Sequence, residues 1–210
     1  MNNIILIGGG GHCISCIDVI ESTHNYEIQG ILDIPEKIGE KVLEYPIFGT
    51  ESDISKYIEK NTCFLITIGQ IKTASLRKRI YSQLLALNAA LASIISAHAY
   101  MSEYAQLGQG SIVMHKACVN ACAVIGNNVI INSGAIVEHG VHIGDHCHIS
   151  TSAVINGDCR IGNDVFIGSG AIIKQGISIP DSSIIAAGAV VLQSINEAGL
   201  YAGIPARKKI

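Results

Sequence analysis

Large aliphatic residues recur at every sixth position over nearly half of the chain, from residue 99 to residue 194. When the sequence is divided into hexads from Ala99, the third position is large and apolar in sixteen consecutive hexads. Neither the helical period of about 3.6 residues nor simple alternation produces this spacing. A period of six predicts a short strand and a corner, with one large side chain pointing inward on each side. The third-position residues are Met101, Leu107, Val113, Val119, Ile125, Ile131, Val137, Ile143, Ile149, Ile155, Ile161, Ile167, Ile173, Ile179, Ile185 and Val191.

A second period of eighteen residues groups the hexads in threes. Gly108, Gly126, Gly144 and Gly162 recur at this spacing, each directly after Leu or Ile. Three hexads therefore form one coil, and the glycines are expected to supply the positive φ that a tight corner demands. The array of 96 residues predicts a parallel β-helix of about five coils, roughly 25 Å tall at ~4.8 Å between stacked strands.

Residues 1–95 follow a different pattern and predict an α/β domain, followed by the β-helix domain with its C-terminal tail over 96–210. Strands are predicted over 3–7, 26–32 and 62–68, and helices over 13–21 and 75–87. Four glycines separate the first strand from the first helix. A strand, a glycine loop, a helix and a second strand form one βαβ unit of a doubly wound, Rossmann-like sheet.

The glycine loop is a candidate phosphate site, because backbone N–H groups at such a loop and at the start of a helix bind phosphate. Gly10, Gly11 and His12 open the helix, and Asp33, at the end of the next strand, suits a ribose contact. A dinucleotide fingerprint would require a third glycine where this chain has Cys13. The loop therefore favours a nucleotide or nucleotide-sugar over a redox dinucleotide, with a tight structural turn as the alternative.

Composition removes several other classes. Charged residues are 15% of the chain, and 14 Lys and Arg against 17 Asp and Glu give a net charge of −3, which argues against nucleic-acid binding. Mean hydropathy is +0.40, yet no apolar run approaches the ~18 residues of a membrane span. The N-terminus has no basic leader, and seven cysteines without framework spacing predict free thiols in a reducing cytoplasm.

Histidines supply the candidate chemistry of the repeats. Residues in a β-helix converge by stacking eighteen apart, and no two histidines of the coils do so; no metal site within one chain is predicted. His139 stands out because it follows Glu138 at a corner, with the small residues Ala121 and Gly157 one coil away on either side. Its imidazole is suited to take a proton from an attacking amine or hydroxyl at neutral pH, with a solvated corner side chain as the alternative.

Together these features resemble the left-handed β-helix sugar acetyltransferases, in particular the sialic-acid O-acetyltransferases and the UDP-N-acetylbacillosamine N-acetyltransferases. The resemblance covers essentially the whole chain and includes the ending Gly-Ile-Pro-Ala-Arg at 203–207. It implies a left-handed β-helix, acetyl-CoA as co-substrate, no metal, and a role in bacterial surface-glycan synthesis. It also implies a homotrimer with each active site between the β-helices of two subunits.

The resemblance also implies roles for individual residues. His139 matches the general base, and Asn132 matches a residue that helps hold the acceptor sugar. Relatives commonly carry an acidic residue directly after the base, where this chain has Gly140, so Glu138 or a backbone carbonyl is expected to orient the imidazole. The nucleotide-sugar is assigned to Gly10, Gly11, His12, Asp33, Gly69 and Gln70, and acetyl-CoA to His148 and Gly157. Arg207, in the C-terminal tail, is a further candidate for binding the phosphates of coenzyme A, with a solvated chain end as the alternative.

The sequence thus predicts an acetyl-CoA-dependent N-acetyltransferase acting on the amine of a nucleotide-linked amino sugar of the 4-amino-4,6-dideoxy type. The rival enzyme reading is an O-acetyltransferase of sialic or legionaminic-type acids. A β-helix scaffold without catalysis is the alternative from a different class. A scaffold has no use for a nucleotide-type domain or for a histidine at a corner lined by small residues, which favours the enzyme.

Overall fold

The computed structural model describes residues 2–70 and 73–209, which form an α/β domain followed by a β-helix. In the α/β domain the strands are β1 (Asn2–Ile7), β2 (Tyr26–Leu32), β3 (Lys41–Val42), β4 (Tyr45–Gly49), β5 (Thr62–Ile66) and β6 (Ala90–Leu91). The helices are α1 (Gly11–Thr23) and α2 (Ser75–Ala86). The sheet order is β3-β4-β2-β1-β5-β6, and all pairs except β3–β4 are parallel.

This domain differs from the sequence prediction mainly at its edge. The three predicted strands and two predicted helices are present with bounds shifted by at most a few residues. The sequence analysis does not predict β3, β4, β6 or the two 3₁₀ helices Pro35–Lys37 and Glu51–Tyr57. These elements have two to seven residues each, which is too few for a hydrophobic period to be recognised.

Strand order reverses at β1, which has β2 on one side and β5 on the other. In doubly wound sheets ligands bind outside the carboxyl ends of the strands at such a switch point. The segments that leave β1 and β5 here are the glycine loop and residues 67–70. The topology therefore directs both segments to one crevice.

The β-helix begins at Ile94, three residues after β6, and turns through three flat faces. Face 1 has strands β7, β10, β13, β16, β19, β22, β24 and β25, face 2 has β8, β11, β14, β17, β20 and β23, and face 3 has β9, β12, β15, β18 and β21. The strands are β7 (Ile94–Ile95), β8 (Tyr100–Met101), β9 (Gln106–Leu107), β10 (Ile112–Val113), β11 (Cys118–Val119), β12 (Val124–Ile125), β13 (Ile130–Ile131), β14 (Ile136–Val137), β15 (His142–Ile143), β16 (His148–Ile149), β17 (Val154–Ile155), β18 (Arg160–Ile161), β19 (Phe166–Ile167), β20 (Ile172–Ile173), β21 (Ser178–Ile179), β22 (Ile184–Ile185), β23 (Val190–Val191), β24 (Leu200–Ala202) and β25 (Arg207–Lys208).

Up to β23, strands on the same face pair in parallel with partners eighteen residues away, as Ile130 pairs with His148. At the end of face 1, β24 pairs with β22 at a spacing of sixteen residues, and β25 is antiparallel to β24. The hexad positions predicted to point inward form one continuous core from Val113 to Val191. Small residues from the first hexad position, such as Ala123 and Cys147, fill the space between the large ones. Each side of the prism is therefore filled by one large aliphatic side chain together with the side chain of the first hexad position.

The corner glycines are present for a different reason from the one expected. Gly108, Gly126, Gly144 and Gly162 do not have positive φ; that conformation falls two residues later, at every sixth residue from Gly110 (φ 69°) to Gly188 (φ 67°). A Cβ on Gly144 would lie 2.8 Å from the backbone carbon of Gly162 in the next coil. Close stacking of the corners, rather than backbone conformation, excludes a side chain here.

The α/β domain packs on the first coils of face 1. Ile94, Ile112 and Ile130 point outward from the prism but are buried in the same cluster as Cys16 and Ile17 of α1. Arg77 of α2 reaches the β-helix, where its Nη2 donates to the backbone O and the Oδ1 of Asn128 at 2.6 and 2.7 Å. Packing and this anchor leave the upper coils of face 1 open beside the crevice.

Candidate active site

A cavity of about 950 Å³ lies between the crevice of the α/β domain and the upper coils of face 1. One end is formed by the glycine loop, by residues 67–70 and by Asp33. The other end is more apolar and follows face 1 upward through Phe166, Ile184 and Leu200. Gly10, Gly11, His12, Asp33, Gly69, Gln70, Asn132 and His148, all predicted from the sequence, line this one cavity.

The four glycines of the loop divide into two structural glycines and two open ones. Gly8 has φ 106°, and a Cβ there would collide with Ile68; a Cβ on Gly9 would lie 3.0 Å from Asp33 Oδ2. Gly10 and Gly11 have no positive φ, and a Cβ on either would meet nothing within 4 Å. Neither backbone conformation nor packing within the chain requires glycine at these two positions. Glycine here is typical of a site where a ligand approaches the backbone closely.

The N-terminus of α1 opens into the cavity at the same point. Gly10 is the N-cap and has no side chain to satisfy the first N–H groups of the helix. The N–H of Cys13 donates to the carbonyl oxygen of Gly10 at 2.9 Å. The N–H groups of Gly11 and His12, before it in the first turn, lack an acceptor within the helix, and the first turn carries the positive end of the helix dipole. With the two open glycines, these N–H groups form a site suited to an anion.

Asp33 lines the cavity, but its carboxylate is occupied within the chain. Oδ2 accepts the N–H of Gly9 at 2.6 Å and Nζ of Lys37 at 2.9 Å, and Oδ1 accepts the N–H of Ile34 at 2.7 Å. Burial raises the pKa of Asp33, but these donors outweigh it and hold that pKa below its usual value. Asp33 therefore braces the glycine loop, whereas the sequence suggested a ribose contact.

His148 is fixed by two partners in a single tautomer. Its Nδ1 lies 2.9 Å from the carbonyl oxygen of Gln70, so Nδ1 carries the proton, and Nε2 accepts from Nδ2 of Asn132 at 3.1 Å. Asn132 is oriented independently, because its Oδ1 accepts the N–H of Ser133 at 2.8 Å. The imidazole thus joins the α/β domain to Asn132 and leaves the second N–H of that amide for a ligand.

Both histidines of the cavity are neutral at physiological pH. Burial, with the positive charge of Arg77, lowers the pKa of His12 to about 4. Burial also lowers the pKa of His148 to about 3. Their rings lie 6.2 Å apart, centroid to centroid. Neither one supplies positive charge for an anionic ligand.

His139 lies away from this cavity, at the corner between face 2 and face 3. Its exposed imidazole rests over Gly157, where a Cβ would lie 2.6 Å from Cε1. Glu138 Oε2 accepts the backbone N–H of His139 at 3.4 Å, and in the described part of the chain no acceptor is bonded to the ring itself. Gly157 therefore makes room for the imidazole, and the structure does not bring it to His148.

Arg207 lies in a second cavity of about 410 Å³ at the C-terminal end of the β-helix, where it contacts the carbonyl oxygen of Ala206.

Within residues 2–70 and 73–209, no group of three or more His, Cys, Asp or Glu is arranged to hold a metal ion. None of the helices in these same ranges is long and apolar enough to cross a membrane.

Sequence families match both domains. Residues 3–84 match the PglD N-terminal domain, residues 122–157 the bacterial transferase hexapeptide, and residues 159–193 the hexapeptide repeat of succinyl-transferase. The repeats and the prism they form define the chain as a hexapeptide-repeat transferase. More particularly, its domain order, a match to the PglD N-terminal domain followed by matches to such repeats, is that of a PglD-like protein.

Solved structures agree with this assignment over the full length. The acetyltransferase domain of PglB from Neisseria gonorrhoeae FA1090, in complex with acetyl coenzyme A, is 28% identical with a TM-score of 0.91 and 99% of each chain covered. PerB from Caulobacter crescentus, in complex with CoA and GDP-perosamine, is 28% identical with a TM-score of 0.91, covering 100% of this chain and 98% of that one. WeeI from Acinetobacter baumannii AYE, at 23% identity and a TM-score of 0.84 over 97% of this chain and 98% of that one, shares the fold. The predicted family and the predicted fold, a Rossmann-like domain before a left-handed parallel β-helix, are confirmed.

Proposed function

We propose that this protein is an acetyl-CoA-dependent N-acetyltransferase whose acceptor is the amine of a nucleotide-linked amino sugar. The observation that carries this proposal is the pair of open glycines at the N-terminus of α1, inside a cavity whose other end is an apolar groove. An anion site beside an apolar groove suits two substrates, one with a diphosphate and one with a long pantetheine arm. PerB, with CoA and GDP-perosamine bound, has the same two kinds of ligand.

The reaction requires one bond to form and one to break at the acetyl carbon. The amine nitrogen attacks the thioester carbonyl of acetyl-CoA, and the resulting tetrahedral oxyanion collapses with loss of the coenzyme A thiolate. One proton leaves the nitrogen and one is finally taken up by the sulfur. We assign the first transfer to His139, because His12 is buried with a low pKa and His148 has partners on both ring nitrogens. Glu138 contacts the backbone N–H of His139 and not its ring, so the contacts within this chain do not supply the predicted orientation of the imidazole.

His139 reaches the cavity only if a second copy of the chain delivers it. The cavity lies on face 1 and at the corner between faces 1 and 2, whereas His139 lies at the far edge of face 2. A neighbouring subunit that packs its face 2 beside this face 1 places the partner subunit's His139 at the cavity. The base and the sugar site then come from different chains.

The outward residues of faces 2 and 3 support such an assembly. Those of face 2 are all apolar, whereas those of face 3 are mostly polar. Charged residues are few in the chain as a whole, and extended apolar faces of this kind mark contact sites. A head-to-tail contact that closes on itself forms a ring, and the number three follows from the resemblance to trimeric acetyltransferases. The face 2 residues are Tyr100, Cys118, Ile136, Val154, Ile172 and Val190, and those of face 3 are Gln106, Val124, His142, Arg160 and Ser178.

Acceptor preference tests the proposed function. Thiol release from acetyl-CoA is measured with UDP- and GDP-linked 4-amino-4,6-dideoxy sugars, with the same amino sugar lacking its nucleotide, and with free sialic acid. A nucleotide-linked amine is expected to have a kcat/KM at least ~100-fold above that of the free amino sugar, since the sugar alone forfeits the anion site. Efficient turnover of free sialic acid, with no turnover of either nucleotide-linked amine, would replace this proposal with O-acetylation.

A further inference from the structure

Lys37 is the one cationic side chain among the described residues that line the cavity. It belongs to neither the glycine loop nor the repeats, and sequence reasoning did not select it. The basic residues of α2 have other partners: Arg77 contacts Asn128, Lys78 contacts Asp164, and Arg79 contacts Glu51. Within residues 2–70 and 73–209, positive charge at this end of the cavity therefore comes from Lys37 and from the N-terminus of α1.

The position of Lys37 is fixed by the same carboxylate that braces the glycine loop. Lys37 ends a 3₁₀ helix that Pro35 begins, and its backbone N–H donates to Ile34 at 3.1 Å. Its Nζ lies 2.9 Å from Asp33 Oδ2, the atom that also accepts the N–H of Gly9. One oxygen thus joins the ammonium group to the glycine loop, and Lys37 retains one-third of its side-chain exposure, at 33%.

We propose that Lys37 binds the diphosphate of the nucleotide-sugar, with Asp33 as the positioning residue that holds its ammonium group beside the glycine loop. The inference rests on the proposed function and deepens it by naming the cation of that site. An ammonium group has three donors, so one can remain on Asp33 while others reach phosphate oxygens.

The charges lining the cavity favour this role. His12 and His148 are neutral, so among the lining residues that the structure describes the ionised side chains are Asp33 and Lys37, whose charges cancel. Without Lys37 the cavity would present one unpaired carboxylate to a ligand that carries about two negative charges. Lys37 therefore both neutralises Asp33 and leaves the helix N-terminus free to attract the diphosphate.

The competing explanation is that Lys37 only stabilises the loop through its ion pair. Lys56 supplies the matched control, because it lies in the last turn of the other 3₁₀ helix with its Nζ 2.5 Å from Asp53, away from the cavity. Lys56→Gln shows what the loss of such an ion pair does where it does not border the cavity, and a comparison of diphosphates with nucleosides separates a phosphate contact of Lys37 from loop stabilisation.

The experiment compares nucleoside diphosphates with nucleosides as ligands. Calorimetry measures the binding of UDP, GDP, uridine and guanosine to the wild type, Lys37→Gln, Lys37→Arg and Lys56→Gln, and kinetics measures KM for the nucleotide-linked amine and for acetyl-CoA. Lys37→Gln is expected to weaken the preferred diphosphate and raise its acceptor KM on the order of 10- to 100-fold. Nucleoside binding and the KM for acetyl-CoA should stay unchanged, Lys37→Arg should recover most of the loss, and Lys56→Gln should match the wild type.

Three results would overturn the inference. Unchanged diphosphate binding in Lys37→Gln rules out the contact while leaving the proposed function intact. Equal weakening of diphosphate and nucleoside assigns Lys37 a loop-stabilising role only. A wild-type protein that binds neither UDP nor GDP removes the proposed function and the diphosphate role together. Thermal unfolding of each variant identifies any that fails to fold, and Lys37→Arg then decides the outcome.

Discussion

Replacing His139 with Asn is expected to lower kcat by on the order of 10²–10⁴, the usual contribution of a general base. The KM values for acetyl-CoA and for the acceptor should change little, because the exposed imidazole of His139 transfers a proton and does not contribute to the binding of either substrate. Steady-state thiol release at saturating concentrations of both substrates measures the effect. Folding should be unaffected, since Asn fits the space above Gly157 that the imidazole occupies.

His142 provides the control for this variant. It is also an exposed histidine of the β-helix, three residues further on, but it lies on face 3. His142→Asn should retain wild-type turnover. If His139→Asn also retains turnover close to wild type, the base lies elsewhere and the assignment of His139 is wrong.

Placing a carboxylate at Gly11 is expected to raise the acceptor KM on the order of 10- to 100-fold, because like charges then face each other at the anion site. A Cβ at Gly11 meets nothing within 4 Å, and φ there is not positive, so the backbone accepts the side chain. An acidic residue in the first turn of a helix is even favourable to the helix. The loss should therefore appear in acceptor KM and not in thermal stability or in KM for acetyl-CoA.

Gly11→Asn isolates charge from size, since Asn has nearly the same shape as Asp without its charge. It should remain well above Gly11→Asp in kcat/KM for the nucleotide-linked amine. Equal losses in the two variants would mean that bulk alone blocks the site. No loss in Gly11→Asp would show that no anion binds near the N-terminus of α1.

The β-helix could be predicted from the sequence because every hexad repeats the same local structure. Each side of the prism has a large aliphatic side chain at the same inward position, so the period of six is visible in the sequence. The reason for the corner glycines could not be predicted from the sequence, because the approach of Gly144 to Gly162 depends on how tightly successive corners stack. Lys116, Asn128 and other residues have positive φ at the corners, as do several glycines. The residue type therefore does not reveal which corner positions adopt this conformation.

The candidate site was readable only in part. Motif residues that line the cavity were found, because glycine loops and strand ends have recognisable positions in the chain. The partners of Asp33 and His148 were not, because they depend on contacts such as that of His148 with the Gln70 carbonyl, 78 positions away. Lys37 was not predicted for a related reason, because no period or motif distinguishes a single lysine after a strand from the other lysines of the chain.

The most direct test of a site shared between chains is to combine the His139→Asn and Gly11→Asp variants in the same oligomer. His139→Asn and Gly11→Asp chains are co-expressed with different tags, and trimers that contain both are purified and assayed below the acceptor KM of Gly11→Asp. If each site combines the cavity of one chain with the partner subunit's His139, every trimer that contains both variants, in either 2:1 composition, has one intact site among its three. Mixed trimers should then recover about a third of wild-type activity. Recovery no greater than that of either variant alone, or sedimentation only as a 22.2 kDa monomer, would contradict the shared site.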